Sequence, residues 1–102
     1  MIKKINVGLI GAGFMGKAHV VAYSNMPKFF WPAPAVPVLK VVCDIEEAIA
    51  KEAKDRFGFE EAVTDWKEVV NNPDIDVISI CTPNDSHAEI AIAALEAGKH
   101  VY

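Results

Sequence analysis

The chain has 102 residues, 52% of them hydrophobic and 24% charged, which is the balance of a folded globular domain and excludes an intrinsically disordered protein. Its formal net charge of −4 gives no reason to expect nucleic acid or an anionic membrane surface as a partner. With no export signal and no apolar run near the roughly 20 residues that cross a bilayer, we expect a cytoplasmic protein.

The first distinctive stretch is an apolar strand over residues 5–10 that leads into three glycines spaced G-x-G-x-x-G and then into a helical pattern. Such a turn binds a diphosphate, because free N–H groups and the positive end of the helix dipole attract it. We expect Gly11 to make the tight turn, Gly13 to let the backbone approach the diphosphate, and Gly16 to let the helix pack closely on the strand. The alternative is a glycine turn that holds another ligand or none, as in methyltransferase-like folds.

The segment after the glycines predicts a helix followed by an irregular insert. The helix spans about residues 14–24, and its predicted buried stripe is Phe14, Ala18, Val21 and Ala22. His19 points elsewhere and is interpreted as a surface or helix-packing residue. Residues 25–37 contain four prolines and predict a loop, not a regular helix or a central strand. We expect the aromatic residues 29–31 to fold back on the domain; contact with a second domain or subunit is the alternative.

The second predicted strand, residues 38–43, ends on Asp44. A carboxylate at this place accepts hydrogen bonds from the adenosine ribose and repels a 2′-phosphate, and residues 45–47 contain no Arg or Lys to receive that phosphate. Asp44 lies 28 residues beyond Gly16 instead of the usual distance of about 20, and the proline-rich insert accounts for the excess. We predict NAD as the cofactor, with NADP less favoured. Capping of the next helix by Asp44 is a second role that does not exclude the first.

The middle of the chain predicts alternating helices and strands. A second helix covers about residues 46–57 and ends at Gly58, with its apolar stripe at Ile45, Ala48, Ile49, Ala53 and Phe57. There follow an edge strand over residues 59–64, a short helix opened by a capping box of Asp65 and Glu68, and a central strand over residues 76–81. Trp66 is interpreted as a packing residue. Cys43 and Cys81 end strands about 10 Å apart, which is too far for a disulfide, and no metal site is expected.

The turn over residues 82–87 leaves the carboxyl end of that central strand, beside the glycine turn. A ligand is expected there, where the sheet reverses its order. Ser86 and Glu89 predict a capping box that opens a last helix, and a fifth strand begins at residue 100. The predicted buried stripe of this helix is Ala88, Ala91, Ile92 and Leu95.

Three blocks, residues 11–19, 42–44 and 81–102, resemble the glucose-fructose oxidoreductase / inositol dehydrogenase (Gfo/Idh/MocA) family of NAD(P)-dependent oxidoreductases. The most specific is the turn Thr-Pro-Asn-x-x-His, followed by Ala-Gly-Lys-His-Val. With right-handed crossovers, we therefore predict an α/β fold: a Rossmann-type doubly wound parallel sheet of order 3-2-1-4-5 in a truncated three-layer sandwich. Residues 1–102 are interpreted as an incomplete N-terminal NAD-binding domain, with the substrate domain absent from the chain.

The resemblance implies three groups of cofactor-binding residues. They are Gly11, Ala12, Gly13, Phe14, Met15 and Gly16 at the diphosphate; Asp44 and Ile45 at the adenosine; and Thr82, Pro83, Asn84 and His87 toward the nicotinamide. For His87, a plain first-turn helix residue is the alternative. His100 is interpreted as structural.

The resemblance also implies hydride transfer between the nicotinamide and a hydroxyl of a sugar, cyclitol or related polyol. In this family the chain continues into a Glu-Lys-Pro motif whose lysine serves at the active site, and no such motif lies within the 102 residues. We therefore expect the chain alone to bind NAD without catalysis. A parallel sheet cut at its fifth strand also predicts a homo-oligomer. The alternative function is a non-catalytic NAD(H)-sensing module.

Overall fold

The computed structural model describes residues 3–29, 35–82 and 84–102. Strands and helices alternate along the chain: β1 (Lys3–Ile10), α1 (Phe14–Phe29), β2 (Ala35–Cys43), α2 (Glu47–Phe57), β3 (Glu61–Val63), α3 (Trp66–Val70), β4 (Val77–Ile80), α4 (Asn84–Glu96) and β5 (His100–Val101). The strands form one parallel sheet of order β3-β2-β1-β4-β5, which confirms the predicted topology.

Helices cover both faces of the sheet, as in a three-layer sandwich. On one face, Val20 of α1 and Ala53 of α2 pack with Leu9 of β1. On the other face, α3 and α4 pack on a core that includes Ile78 of the central strand β4 and Ile90 of α4. The continuous apolar character of β1 follows from this burial on two sides. Among the helices that the structure describes, none is long and apolar enough to cross a membrane.

The buried face of α1 differs from the predicted stripe. Three of its predicted members are exposed, namely Ala18, Val21 and Ala22, while the side chain of Phe14 lies outside the described residues. The inward positions are instead Gly16 and Val20. Tyr23 is half-buried, and its hydroxyl hydrogen-bonds the Ser79 hydroxyl at 2.5 Å. His19 lies edge-on to the Tyr102 ring, with 5.0 Å between ring centroids. His19 is therefore a helix-packing residue, although it points inward.

The apolar stripe of α4 was also predicted on the wrong face. Ile90 and Ala94 are buried, whereas Ala88, Ile92 and Leu95 are exposed and only Ala91 of the predicted set is partly buried. The helix begins at Asn84, so Ser86 lies within its first turn and does not cap it. A helix with apolar residues on two sides carries too weak a period for the sequence to select the buried side.

In α2 the prediction is partly confirmed. Ala53 is buried and Ile49 and Phe57 are half-buried as expected, but Ile45 and Ala48 are exposed, and Ala50, which was not predicted, is buried. Gly58 ends the helix with φ of 82°, the left-handed conformation expected of a helix stop.

The prediction of a loop over residues 25–37 is wrong at both ends. The backbone of α1 continues through Pro27 to Phe29, at the cost of the one helical hydrogen bond that proline cannot donate. Strand β2 begins at Ala35 and contains Pro37. The Leu39 carbonyl faces the side of β3, because it accepts from Glu60 N–H. Residues two apart in a strand point to the same side, so the nitrogen of Pro37 also faces the side of β3. Strand β3 pairs only from Val41 onward, so no ladder bond is lost there.

Phe30 and Trp31 lie outside the described residues, as does the side chain of Phe29. The expectation that they fold back on the domain therefore stays a prediction.

Candidate functional site

Gly11 joins the carboxyl ends of the three central strands. Its N–H donates to the Cys43 carbonyl at 2.8 Å, and its φ of +94° is a conformation that residues with a Cβ rarely adopt. A Cβ at Gly11 would lie 2.7 Å from the Cys81 carbonyl oxygen and 3.0 Å from Thr82 N. Both the turn and the close approach of the β4 backbone therefore require glycine, as predicted for the first position of the fingerprint.

The surroundings of Gly13 and Gly16 differ in whether they leave room for a Cβ atom. A Cβ on Gly16 would overlap the Gly11 carbonyl oxygen, whereas the Leu9 side chain is farther away at 3.5 Å. The tight contact of the helix is thus with the turn itself more than with the strand. At Gly13 a Cβ would meet no described atom within 4 Å, and its φ lies outside the left-handed region. The fold itself does not require glycine at this position, which leaves open space in front of the turn.

Asp44 connects the glycine turn to the segment after β2. Its Oδ2 accepts from Ala12 N–H at 3.1 Å, and its Oδ1 accepts from Glu46 N–H at 3.0 Å. The N-cap of α2 is Glu46, so the alternative that Asp44 itself caps this helix is wrong. An ionised carboxylate offers about four acceptor positions. These two bonds therefore leave capacity for two more donors.

A cleft of about 560 Å³ runs along the carboxyl edge of the sheet. The structure brings together along it five of the predicted residues: Gly11, Gly13, Asp44, Ile45 and Thr82. Sequence reasoning missed Thr64, Trp66, Ser86 and Ile90, which also line the cleft. Thr64 directly follows β3, so the rule that singled out Asp44 after β2 would also have found it.

The remaining predicted residues are placed differently. Ala12 is buried and contributes its N–H to Asp44, as described above. His87 is exposed in the first turn of α4 and is not among the described residues that line the cleft. Pro83 and the side chains of Phe14, Met15 and Asn84 lie outside the described residues, although the backbones of the last three belong to α1 and α4.

Thr82, which lines the cleft, has a buried hydroxyl group. The Thr82 hydroxyl oxygen is buried and has no hydrogen-bond partner among the described groups. Since buried polar atoms are normally paired, this hydroxyl has unused capacity beside the glycine turn.

The electrostatics of the cleft differ between its two ends. Near β2, burial together with the charges of Asp44, Asp65 and Glu68 raises the pKa of the Cys43 thiol to about 12, and burial is the largest of these causes. These three carboxylates, with Glu46 on the cleft wall, make this end negative. Among the described residues that line the cleft there is no lysine or arginine, although the Lys67 ammonium lies 6.0 Å from the centroid of the Trp66 ring.

The cysteines do not add reactive chemistry to the site. Both are free, Cys43 buried and Cys81 half-buried, and burial also raises the pKa of the Cys81 thiol. Neutral thiols are poor nucleophiles at neutral pH. Within residues 3–29, 35–82 and 84–102, no group of three or more His, Cys, Asp and Glu side chains is arranged to hold a metal ion.

Comparison with known proteins gives consistent matches. The chain is 59% identical to levoglucosan dehydrogenase of Pseudarthrobacter phenanthrenivorans over 100 residues, which cover 98% of this chain and 26% of that protein. It is 31% identical to inositol 2-dehydrogenase of Salmonella typhimurium over 99 residues, 96% of this chain and 27% of the relative. The chain thus spans about a quarter of the length of these relatives.

The structural comparison points the same way. A solved structure of levoglucosan dehydrogenase in complex with NADH and L-sorbose superposes with a TM-score of 0.94 and 59% identity, over 98% of this chain and 27% of that one. The model of the oxidoreductase family with an NAD-binding Rossmann fold, GFO_IDH_MocA, matches residues 5–102. The fold and the glycine turn therefore have a shared origin with those of these dehydrogenases, and the chain belongs to the Gfo/Idh/MocA oxidoreductase family.

Proposed function

We propose that this chain binds NAD(H) in the cleft at the carboxyl edge of its sheet, as the cofactor-binding part of a dehydrogenase. The observation that carries the proposal is the pairing of the open space at Gly13 with the Asp44 carboxylate in one cleft. The Ala12 N–H to Asp44 bond fixes their relative position. Dinucleotides need both features, because the diphosphate must approach the backbone and the ribose hydroxyls need an acceptor.

We propose that the dinucleotide lies along the cleft in one direction. We place the diphosphate at the turn of residues 11–16, where the N-terminus of α1 supplies N–H groups and a positive dipole end. We place the adenosine ribose at Asp44, whose oxygens still have acceptor capacity, and the adenine beside Ile45. Thr82, Pro83, Asn84 and His87 are proposed to lie toward the nicotinamide. Thr82 lines the cleft beside the glycine turn, which supports this direction.

The charges of the cleft favour NAD over NADP. Asp44 and Glu46 line the ribose end of the cleft. Asp65 and Glu68 are close enough to the neighbouring Cys43 thiol to raise its pKa. A 2′-phosphate would add about two negative charges at this point, with no described cationic side chain along the cleft to receive them. We therefore propose NAD as the preferred cofactor.

The wider function follows from the family. When bound, the nicotinamide accepts or donates a hydride, and the relatives with this fold are named as levoglucosan and inositol dehydrogenases. We propose the same class of reaction here, on a hydroxyl of a sugar, cyclitol or related polyol, with the substrate domain outside residues 1–102. With both cysteines free and reduced, we also propose a cytoplasmic location. The protein is proposed to act as a homo-oligomer.

Calorimetric titration tests the proposal. NAD and NADP are titrated into the wild-type chain and into the Asp44→Asn variant, which removes the charge and keeps the shape. We expect the wild-type chain to bind NAD at least about tenfold more tightly than NADP, a difference of about 1.4 kcal/mol. Asp44→Asn should lose most of this preference because the repulsion of the 2′-phosphate is reduced.

The matched control is Asp55→Asn, which removes the same charge from the exposed side of α2, away from the cleft. It should leave both affinities unchanged. Absence of NAD binding by the folded wild-type chain would contradict the proposal. An equal effect of the two substitutions would contradict the role of Asp44. Incubation of the chain with NAD and polyols should give no NADH, and steady turnover would refute its assignment as a cofactor-binding part only.

A further inference from the structure

We propose that Trp66 is a specificity-determining residue whose indole forms an aromatic wall at the adenine end of the cleft and selects purine nucleotides. The inference rests on the proposed function, since it assigns one end of the same cleft to the base. It goes beyond that function because neither the glycine fingerprint nor the carboxylate after β2 involves Trp66.

The local structure fixes Trp66 firmly in place. The residue begins α3, and the Asp65 side chain before it caps the helix by accepting from Lys67 N–H at 3.0 Å. The indole is half-buried and packs against the core under α3 and α4. The Lys67 ammonium lies 6.0 Å from the centroid of the indole ring. The ring is thus held by the protein before any ligand arrives, so binding would cost little conformational entropy at this side chain.

Trp66 also lines the cleft. Because it follows the edge strand β3, it lies toward the end of the cleft away from the glycine turn after β1. Ile45, 87% exposed, and Ile49 line the same region and make it apolar, while Thr64 adds a hydroxyl. Together these side chains make an apolar surface inside a concave site, which is the kind of surface that a ligand covers. A purine base matches such a place, because its faces are apolar and its edge is polar.

An aromatic wall favours a purine over the other parts of the cofactor. Stacking energy grows with ring area, and a two-ring base offers more contact to an indole than a single pyridine ring does. The nicotinamide is therefore not the expected occupant of this end. The carboxylates of Asp44 and Glu46 would attract the positively charged ring of oxidised nicotinamide, so charge alone does not select the adenine at this end. The discrimination is assigned to Trp66.

The test uses the fluorescence of Trp66 itself. Since the sequence contains two tryptophans, Trp31→Phe leaves Trp66 as the sole one. AMP and nicotinamide mononucleotide are titrated into this protein. We expect AMP to change the emission of Trp66 in a saturable way with the same midpoint that calorimetry gives, and nicotinamide mononucleotide to change it much less at equal concentration.

Two substitutions measure the contribution of the ring to affinity. Trp66→Leu should weaken binding of AMP and of NAD by about 3- to 10-fold, whereas Trp66→Phe, which keeps an aromatic face, should lose about twofold or less. The matched control is Phe57→Leu, which removes a half-buried aromatic ring from the core on the other face of the sheet, away from the cleft. It should not change the affinity for either ligand.

The outcomes separate this inference from the proposed function. If NAD binds but AMP leaves the emission of Trp66 unchanged, and Trp66→Leu binds NAD as tightly as Phe57→Leu does, the inference is wrong and the proposed function stands. If NAD does not bind to the folded wild-type chain, both are wrong. If Trp66→Leu does not fold, the inference is tested by the response of the Trp66 emission to AMP and by the affinity of Trp66→Phe. An emission that AMP leaves unchanged would then overturn the inference.

Discussion

Alanine substitution of two fingerprint glycines should have opposite effects on stability, and this contrast separates binding from folding. At Gly13 the added methyl group meets no described atom within 4 Å and the backbone is not left-handed. Gly13→Ala should therefore stabilise the fold by about 0.4–1 kcal/mol, because it restricts the unfolded chain. For a domain of this size, that raises the Tm by a few degrees, at about 4–8 °C per kcal/mol.

The same methyl group occupies the space in which we place the diphosphate. Keeping the phosphates from the N–H groups of the turn would lose charge-assisted hydrogen bonds of about 1.5–3 kcal/mol each. Loss of even one such bond weakens binding by about tenfold or more. Gly13→Ala should thus unfold at a higher temperature than the wild-type chain and yet bind NAD at least about tenfold more weakly.

Gly16→Ala should behave in the opposite way. Its Cβ overlaps the Gly11 carbonyl oxygen, which belongs to the backbone and cannot rotate away. We expect a loss of at least about 2 kcal/mol of stability and a drop in Tm of roughly 10 °C. Gly58→Ala serves as a control, because it strains a residue with φ of +82° far from the cleft, at about 1 kcal/mol, and should leave NAD binding unchanged.

Differential scanning calorimetry gives the Tm values, and titration calorimetry gives the affinities of the same samples. The reasoning would be refuted if Gly13→Ala bound NAD like the wild-type chain, since the space in front of the turn would then not hold the diphosphate. It would equally be refuted if Gly13→Ala were destabilised as much as Gly16→Ala.

Three further predictions follow from single side chains. Burial raises the pKa of the Cys43 thiol from its ordinary value of 9.0 to about 12. The folded chain therefore keeps a proton that the unfolded chain loses above about pH 9, and this stabilisation falls as the pH rises from 9 toward 12, by at most about 1.4 kcal/mol per pH unit. Urea unfolding of Cys43→Ala over this range should show a shallower decline than the wild-type chain; parallel curves would contradict the assignment. Tyr23→Phe leaves the fully buried Ser79 hydroxyl without its partner and should cost about 1–3 kcal/mol, and adding Ser79→Ala should recover part of that loss in chemical unfolding. Additive costs would speak against a coupled pair. Ile92 and Leu95 are 57% and 62% exposed on α4, so the chain should self-associate at high concentration, and Leu95→Lys should reduce its mass by light scattering. A wild-type chain that stays monomeric would contradict this.

The sheet could be predicted from the sequence because the signals for its strands lie in short stretches of residues and recur along the chain. Each strand is a short apolar run, and the glycine turn after residue 10 identifies β1 as the start of a doubly wound sheet. Right-handed crossovers then allow few strand orders. Asp44 could be found for the same reason, since the end of a strand in such a sheet specifies a place in the cleft.

The helix faces could not be predicted, because hydrophobicity does not decide burial when both sides of a helix are apolar. Val21, Ile92 and Leu95 are exposed although each is apolar. Gly16 and Tyr23 point inward for reasons that a periodic pattern does not encode: one avoids a clash with a carbonyl, and the other makes a hydrogen bond to a buried serine.

The proline-rich segment and the far end of the cleft depended on tertiary structure. Pro37 is tolerated in β2 because β3 is too short to pair with that part of the strand, which no local signal reveals. Trp66 was interpreted as a packing residue, and it does pack against the core. That its ring also lines the cleft follows from the adjacency of β2 and β3 and is not visible in the sequence.

The most direct test of the central claim is an NMR titration of the 102-residue chain with NAD, following the backbone amide signals. Binding in the cleft should shift the amides of Gly11, Gly13 and Thr82, and leave those of Gly58 and Gly98, which end α2 and follow α4, in place. NAD added to saturation without shifts around the glycine turn, or with shifts concentrated at Gly58 and Gly98, would contradict the proposal that this cleft holds the dinucleotide.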